Sequence, residues 1–320
     1  MTDRFEIVNK TLVRLLEEKK YTTISSLIES FYKEKSIVVR MRQKSFDLRR
    51  IAQTALERNV KKLDLQKKQL EDTEKREKYK VYGELINTYG YSVSDGSKAF
   101  EALNYYTNEM ITIPLDPDLS VKDNGKKYFE KYTKLKRTAE SLTTIIEDVS
   151  LEVEHLESIL TELDLATKEE DLVQIKDELT EAGYIKFKAG SKKTKITSKP
   201  YHYISSDGFD IYVGKNNFQN DWLTFEFANG NDWWFHAKKM PGSHVIIRTN
   251  GNEVPDRTFE EAAKLAAHYS KGRGTNRVEI DYLIKKNVKK PAKAKPGFVV
   301  YYTNFSMVMD DDISSLTLAE

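Results

Sequence analysis

The feature that most constrains this chain is a run of apolar residues at strict heptad spacing. Leu135, Ala139, Leu142, Ile146, Val149, Val153, Leu156, Leu160 and Leu163 step alternately by four and three. A 3.5-residue repeat keeps one narrow seam facing a partner helix, whereas a helix lying on a globule drifts toward 3.6 and shows a wider stripe. The partner is available within the chain. From Ser36 to Thr88 there is no Pro, and the first Gly is Gly83. Ala52, Leu56, Leu63 and Leu70 share one seam there, with polar Asn59 and Gln66 at intermediate positions. The pattern predicts one long helix, roughly 75 Å at 1.5 Å per residue. No single globular core needs that length, so an antiparallel two-helix coiled coil is expected; pairing between chains is the alternative.

The remaining segments arrange themselves around this hairpin. Residues 1–34 read as two short amphipathic helices, Ile7 to Lys19 and another from Thr23, expected as a remnant of an upstream domain or a cap for one. The hairpin is expected over 35–188. Its turn holds an insertion at about 89–125, far longer than a helix–helix connection requires. Gly90, Gly96, Pro114 and Pro117 break helix there, and Tyr105-Tyr106 and Met110 to Ile113 have strand character. Asp123 or Asn124 is the expected N-cap of the returning helix. A short helix from Glu169 to Glu181 should end at Gly183. A Lys/Ser/Thr/Gly linker follows at 189–200, then a small domain over 201–312 and a tail over 313–320. Strands are expected at Tyr201 to Ile204, Asp210 to Val213, Leu223 to Phe227, Trp233 to His236, Val245 to Arg248 and Phe298 to Tyr302, with one helix from Thr258 to Tyr269. The fold class is therefore α+β: a long antiparallel coiled coil with a small tip insertion, followed by a small α+β domain.

Charged residues make up 32% against 39% hydrophobic, which suits a chain with a long solvated helical part. There is no Cys, which removes disulfides, thiolate chemistry and Cys-based zinc sites. No run approaches the roughly 18 apolar residues of a membrane span, so no membrane insertion is expected. Net charge is only +2, and its distribution matters more than its sum. Basic residues gather between Lys271 and Lys295, with Lys285, Lys286, Lys289 and Lys290 as a tight patch, and again from Lys122 to Arg137. A solvated face is the plain explanation of such runs. Two basic surfaces on a rigid arm also suit a polyanion, with RNA held through its phosphates.

The densest stretch for chemistry is Asn231 to His244, which mixes Trp233, Trp234, Phe235, His236, Lys238, Lys239 and His244. Neighbours on a strand face opposite sides, so one of the two Trp should be core, and Ser243 and His244 cannot form a catalytic dyad. His236 and His244 lack companions at metal-ligand spacing. Gly214 to Asn217 reads either as a hairpin turn or as a loop whose Lys and amides donate to phosphates. Lys215, Asn216, Asn217, His236, Lys238, Ser243, His244 and Arg248 are the expected RNA-facing group. Replacing Lys215, Lys238 and Arg248 together is expected to weaken RNA binding and leave the fold intact.

Asp207 to Asn217, Asn220-Asp221, Asp232 to Ala237 and Pro241 to Val245 closely resemble the NFACT-R domain, as do Lys289 to Pro291 and Lys295 to Gly297. The heptads, with Tyr82 to Leu85 before the tip and Ile113 to Pro117 after it, resemble that family's coiled coil and its middle insertion. The family is that of bacterial RqcH, eukaryotic NEMF and the streptococcal fibronectin/fibrinogen-binding proteins. The resemblance implies a ribosome quality-control factor that binds the large ribosomal subunit carrying stalled peptidyl-tRNA. Such a factor contacts rRNA and recruits tRNA for alanine tailing of the nascent chain without mRNA. It implies no cofactor, no metal and no catalytic group of its own, and a cytoplasmic location. The likeness is to the family's C-terminal half, so its N-terminal domain, with the Asp-Arg pair for tRNA recruitment, is expected to be missing from this stretch. The alternative is an adhesin for fibronectin and fibrinogen, reaching the cell surface by non-classical export.

Overall fold

The computed structural model describes residues 24–186 and 197–319. The first expected helix, Ile7 to Lys19, and most of the linker lie outside these. The chain clusters into two compact units, one of Met1–Leu56 with Glu154–Glu320, the other of Glu57–Val153.

Helix α1 runs Ile24–Asp72. The expected start at Ser36 is too late, because nothing between Ile24 and Ser36 breaks helix and the second short helix simply continues. The expected run to Thr88 is interrupted by a 3₁₀ turn at Thr73–Lys75, where the Thr73 hydroxyl donates to the Leu70 carbonyl at 2.6 Å. Such back-bonding competes with the helical ladder and bends it. Helix α2, Arg76–Tyr89, then carries on. Helix α3, Val121–Leu165, holds the heptads. Ala139, Leu142, Val149, Leu156 and Leu163 are buried, as are Ala52 and Gln66 of the opposing seam.

The pairing is antiparallel and lies within the chain. In the first unit Ala52 packs with Ile159 and Leu163, and Arg49 pairs with Asp164 and donates to the Leu163 carbonyl. In the second, Tyr79 stacks on Tyr128 at 5.9 Å. Gly83 is explained here: a Cβ would lie 2.8 Å from the Phe129 ring, so the helices approach closely only where no side chain intervenes.

The tip is a β-hairpin, β1 Ala99–Asn104 with β2 Glu109–Pro114, packed on α2 through Leu85, Ile86, Phe100 and Ile113. Tyr105-Tyr106 is not strand but the turn, since Asn104 accepts from the Asn108 N–H at 2.7 Å and Asn108 takes φ 58°. Neither Asp123 nor Asn124 is the N-cap. Ser120 takes that place: its hydroxyl accepts from the Asp123 N–H at 3.1 Å and donates to the Asp123 carboxylate at 2.6 Å.

Helix α4, Asp171–Glu181, ends at Gly183, whose φ of 81° makes the left-handed turn. Strands β3 Tyr201–Ile204, β4 Asp210–Val213, β5 Trp233–Ala237, β6 Val245–Arg248, β7 Val278–Ile284, β8 Phe305–Met309 and β9 Thr317–Leu318 form one antiparallel sheet, ordered β8-β7-β5-β6-β4-β3-β9. Helix α5, Asn217–Trp222, runs into a π-helical turn at Leu223–Phe227, where a strand was expected. Its alternating apolar residues misled because Leu223, Phe225 and Phe227 all meet one sheet face. Phe298 to Tyr302 is also not a strand; it contributes a single bridge, Lys289 to Val300. Strand β7 was hidden by Glu279 and Asp281 within it and β8 by the acidic run Asp310 to Asp312 that follows it, and residues 313–320, expected as a tail, supply β9.

Helix α6, Asp256–His268, covers one face of the sheet, over Ile211, Phe235, Val245, Ile247 and Ile280. The other face carries Trp234, Ile246 and Leu283 and is covered by α5, the π turn and the chain around Val288 and Val299. Among the described residues, no helix is long and apolar enough to cross a membrane.

Candidate nucleic-acid interface

The stretch after β4 is neither a hairpin turn nor a phosphate loop. It is a strand-to-helix junction in which Asn216 caps α5, its side chain accepting from the Gln219 N–H at 3.0 Å. Gly214 is required because a Cβ there would meet the Asn220 side-chain oxygen at 2.2 Å.

The expected RNA-facing group separates on burial. Asn216, Asn217, Ser243 and His244 are buried, so their side chains do not face a ligand. Asn216 donates to Gln174 at 2.8 Å, and Asn217 donates to Ser158 at 2.8 Å and Glu178 at 2.9 Å. They bind the sheet domain to α3 and α4. In the same seam His155 Nε2 lies 2.7 Å from Glu178 and its Nδ1 3.1 Å from Lys295 Nζ, the tautomer in which Nε2 donates and Nδ1 accepts. Glu162 stands beside them; burial first and the Glu178 charge second raise its pKa well above the carboxylate range, against a smaller pull from the Asn217 backbone. Polar side chains gather here because they join elements across a buried interface, which sequence spacing alone resembles a binding motif.

His244 is held by Thr224 at 2.7 Å and by the Asn220 carbonyl at 3.1 Å. Its ring and that of His236 stand 5.5 Å apart against Trp234, which is the core member of the Trp pair. Burial pushes the His236 pKa down to about 4; burial first and the neighbouring His236 second push that of His244 well below its ordinary value, so both are neutral supports of Trp234.

The three cations of the group are all paired. Arg248 lies 3.2 Å from the buried Asp232 carboxylate and donates to the Phe227 carbonyl at 2.5 Å. Removing it strips the counter-charge from a group 1% exposed, so substitution there disturbs the fold, contrary to the expectation above. Lys238 pairs with Glu279 at 3.3 Å. Lys215 lies 3.6 Å from Asp171 and 4.3 Å from the Tyr201 ring centre, and burial lowers its pKa. In the basic patch Lys286, Lys289 and Lys290 are exposed, although Lys290 pairs with Asp221. Lys285 and Lys290 reach over Phe225 at 6.0 and 5.9 Å.

What this face presents instead is an aromatic strip. His202 stacks on Tyr212 at 4.6 Å with planes 4° apart, and Tyr212 meets Phe227 edge-on at 4.7 Å. Trp222 packs on Phe227 at 5.0 Å while staying 41% exposed. Beside it opens a cleft of about 810 Å³, in which His202, Tyr212 and Trp222 stand among Lys168, Lys199 and Lys215, with Glu170 the one acidic residue of the lining. That volume suits a ligand of nucleotide size. Flat rings with flanking ammonium groups suit stacked bases and their phosphates. Sequence reasoning picked out Lys215 alone among these residues and missed the rest because they come from separated segments; the pair Trp222 and Phe227 was the one local signal.

Residues 199–303, which hold this cleft's aromatic residues, match the NFACT protein RNA binding domain, and residues 1–198 match the NFACT N-terminal and middle domains. This chain belongs to the NFACT family. It is 40% identical to a Streptococcus suis protein named Rqc2 homolog RqcH, over 88% of this chain and 50% of that one. A Bacillus subtilis protein of the same name is 34% identical over 94% of this chain and 53% of its own length. The chain thus spans about half the length of these relatives. Its fold matches the C-terminal region of the fibronectin/fibrinogen-binding protein of Streptococcus suis, with a TM-score of 0.71 and 35% identity over 87% of this chain and all of that one. The family likeness reaches the sheet domain and the coiled coil alike.

Proposed function

We propose that this NFACT chain is an RNA-binding part of a ribosome quality-control factor, with residues 201–312 as the RNA-holding domain and the coiled coil as its arm. The observation that carries the reading is the cleft where His202, Tyr212 and Trp222 meet Lys168, Lys199 and Lys215, all but Lys168 within the match to an RNA-binding domain. In this reading unpaired bases stack on Trp222 and Tyr212 while the exposed Lys168, Lys199, Lys286 and Lys289 hold phosphates. The relatives' name supports ribosome quality control, and the family resemblance suggests the finer proposal: binding to the large ribosomal subunit with stalled peptidyl-tRNA, contact with rRNA and tRNA, and support of alanine tailing in the cytoplasm. Peptide-bond formation is left to the ribosome.

The test is co-sedimentation with purified large subunits bearing peptidyl-tRNA, at physiological and doubled salt, with wild type and Trp222→Ala. Salt-sensitive migration that the variant weakens supports the reading; salt-insensitive or absent migration sinks it. The name of the solved Streptococcus suis relative favours a second reading, attachment to fibronectin or fibrinogen at the cell surface. Saturable binding to immobilised fibronectin that survives doubled salt would move that reading ahead.

A further inference from the structure

A second cleft, about 420 Å³, opens on the face of the sheet that α6 covers. Trp233 of β5, Tyr282 of β7 and Phe305 of β8 neighbour one another across adjacent strands, with ring centres 5.9 and 5.5 Å apart. Phe259 of α6 meets Trp233 edge-on at 4.8 Å. Met307 and two carboxylates one helical turn apart, Asp256 and Glu260, complete the lining. Both carboxylates are exposed, and among the described residues no Lys, Arg or His lines the cleft.

This combination selects by charge. Aromatic faces carry a negative quadrupole, and carboxylates add full negative charge, so a cation gains from both while a phosphate is repelled. A guanidinium gains most, because its planar fork lies flat on rings and still donates to carboxylates. The cleft also borders an open edge: β8 ends the sheet, with Phe305 61% exposed and Val308 46% exposed. An extended segment can lie along such an edge by main-chain pairing and send alternate side chains to one face.

We propose that this cleft docks an extended basic protein segment, with an Arg guanidinium seated on the Trp233, Tyr282 and Phe305 wall against Asp256 and Glu260. The site is independent of the RNA reading, since it lies on the opposite sheet face and repels the RNA ligand's charge.

The test is fluorescence anisotropy of the full chain with a dye-labelled peptide alternating Arg and Ser, and with its citrulline counterpart. The Arg peptide is expected to bind saturably, and the citrulline peptide about tenfold more weakly or worse. The double variant D256N/E260Q should lose about tenfold for the Arg peptide, and Phe305→Ala several-fold. Single-stranded RNA binding should be unchanged in both, which also reports that each is folded. Equal affinity for the two peptides, or wild-type affinity in D256N/E260Q, overturns the proposal. Acetyl-arginine amide competing as well as the peptide, mole for mole, would also overturn it, in favour of a site for small cations.

Discussion

On one face of the sheet Tyr212 and Trp222 stand among Lys168, Lys199 and Lys215; on the other, Trp233, Tyr282 and Phe305 stand beside Asp256 and Glu260. The rings are alike in kind and the charges around them are opposite. Aromatic residues therefore do not by themselves define what this domain binds. They supply flat, low-entropy contact area, and the charged rim decides between anion and cation. The difference also has a structural root. The basic face is covered by a short helix, a π turn and loops, which leave Trp222 exposed at an edge. The acidic face is covered by one regular helix whose N-terminal end places Asp256 and, one turn on, Glu260 beside the cleft.

The comparison can be broken most forcefully through pH. His236 and His244 sit under the basic face with pKa values below their unfolded value, near 6.5. A depressed base binds fewer protons folded than unfolded, so stability is full above pH 6.5 and is lost as pH falls from there toward about 4. The loss expected for His236 is on the order of 3 kcal/mol. Thermal unfolding from pH 7 to 5 should show it, with His236→Gln flattening the slope. RNA affinity should not rise in that window; a rise that His236→Gln abolishes would make His236 a phosphate contact after all.

Next in size is Trp222→Ala, expected to weaken binding of single-stranded RNA by about 1–3 kcal/mol, read by anisotropy, without a comparable fall in unfolding midpoint. Asn217→Ala should do the reverse. It leaves Glu178 and Ser158 short of a donor and costs about 1–3 kcal/mol of stability, with RNA affinity per folded molecule unchanged. The smallest effect is electrostatic: Lys286→Gln or Lys289→Gln should each lower the slope of log affinity against log salt by about 0.7 for single-stranded RNA.

These contrasts also show what the sequence could reveal. The heptads from Leu135 to Leu163 specify a coiled coil because a one-dimensional period maps directly onto one helical face. The motif residues of the sheet domain identify the family for a similar reason, since they are local and dense. The binding surface is not local. Asn216, Asn217, Ser243 and His244 stand out in the sequence because polar residues crowd there, yet all four are buried, with Asn216 and Asn217 joining α5 to α4 and α3 and His244 joining the sheet to the π turn. His202, Tyr212 and Trp222 are unremarkable alone and become one strip only when β3, β4 and α5 come together. Likewise Thr73 ends α1 through a hydroxyl-to-carbonyl bond that periodicity does not register.

The central claim, that RNA lies on the basic aromatic face, is tested most directly by ultraviolet crosslinking of single-stranded RNA to the full chain, with the adducts mapped by mass spectrometry. The account predicts adducts at Tyr212, Trp222 and Lys199, lost at high salt. Adducts confined to Trp233, Phe259 or Phe305 would contradict it.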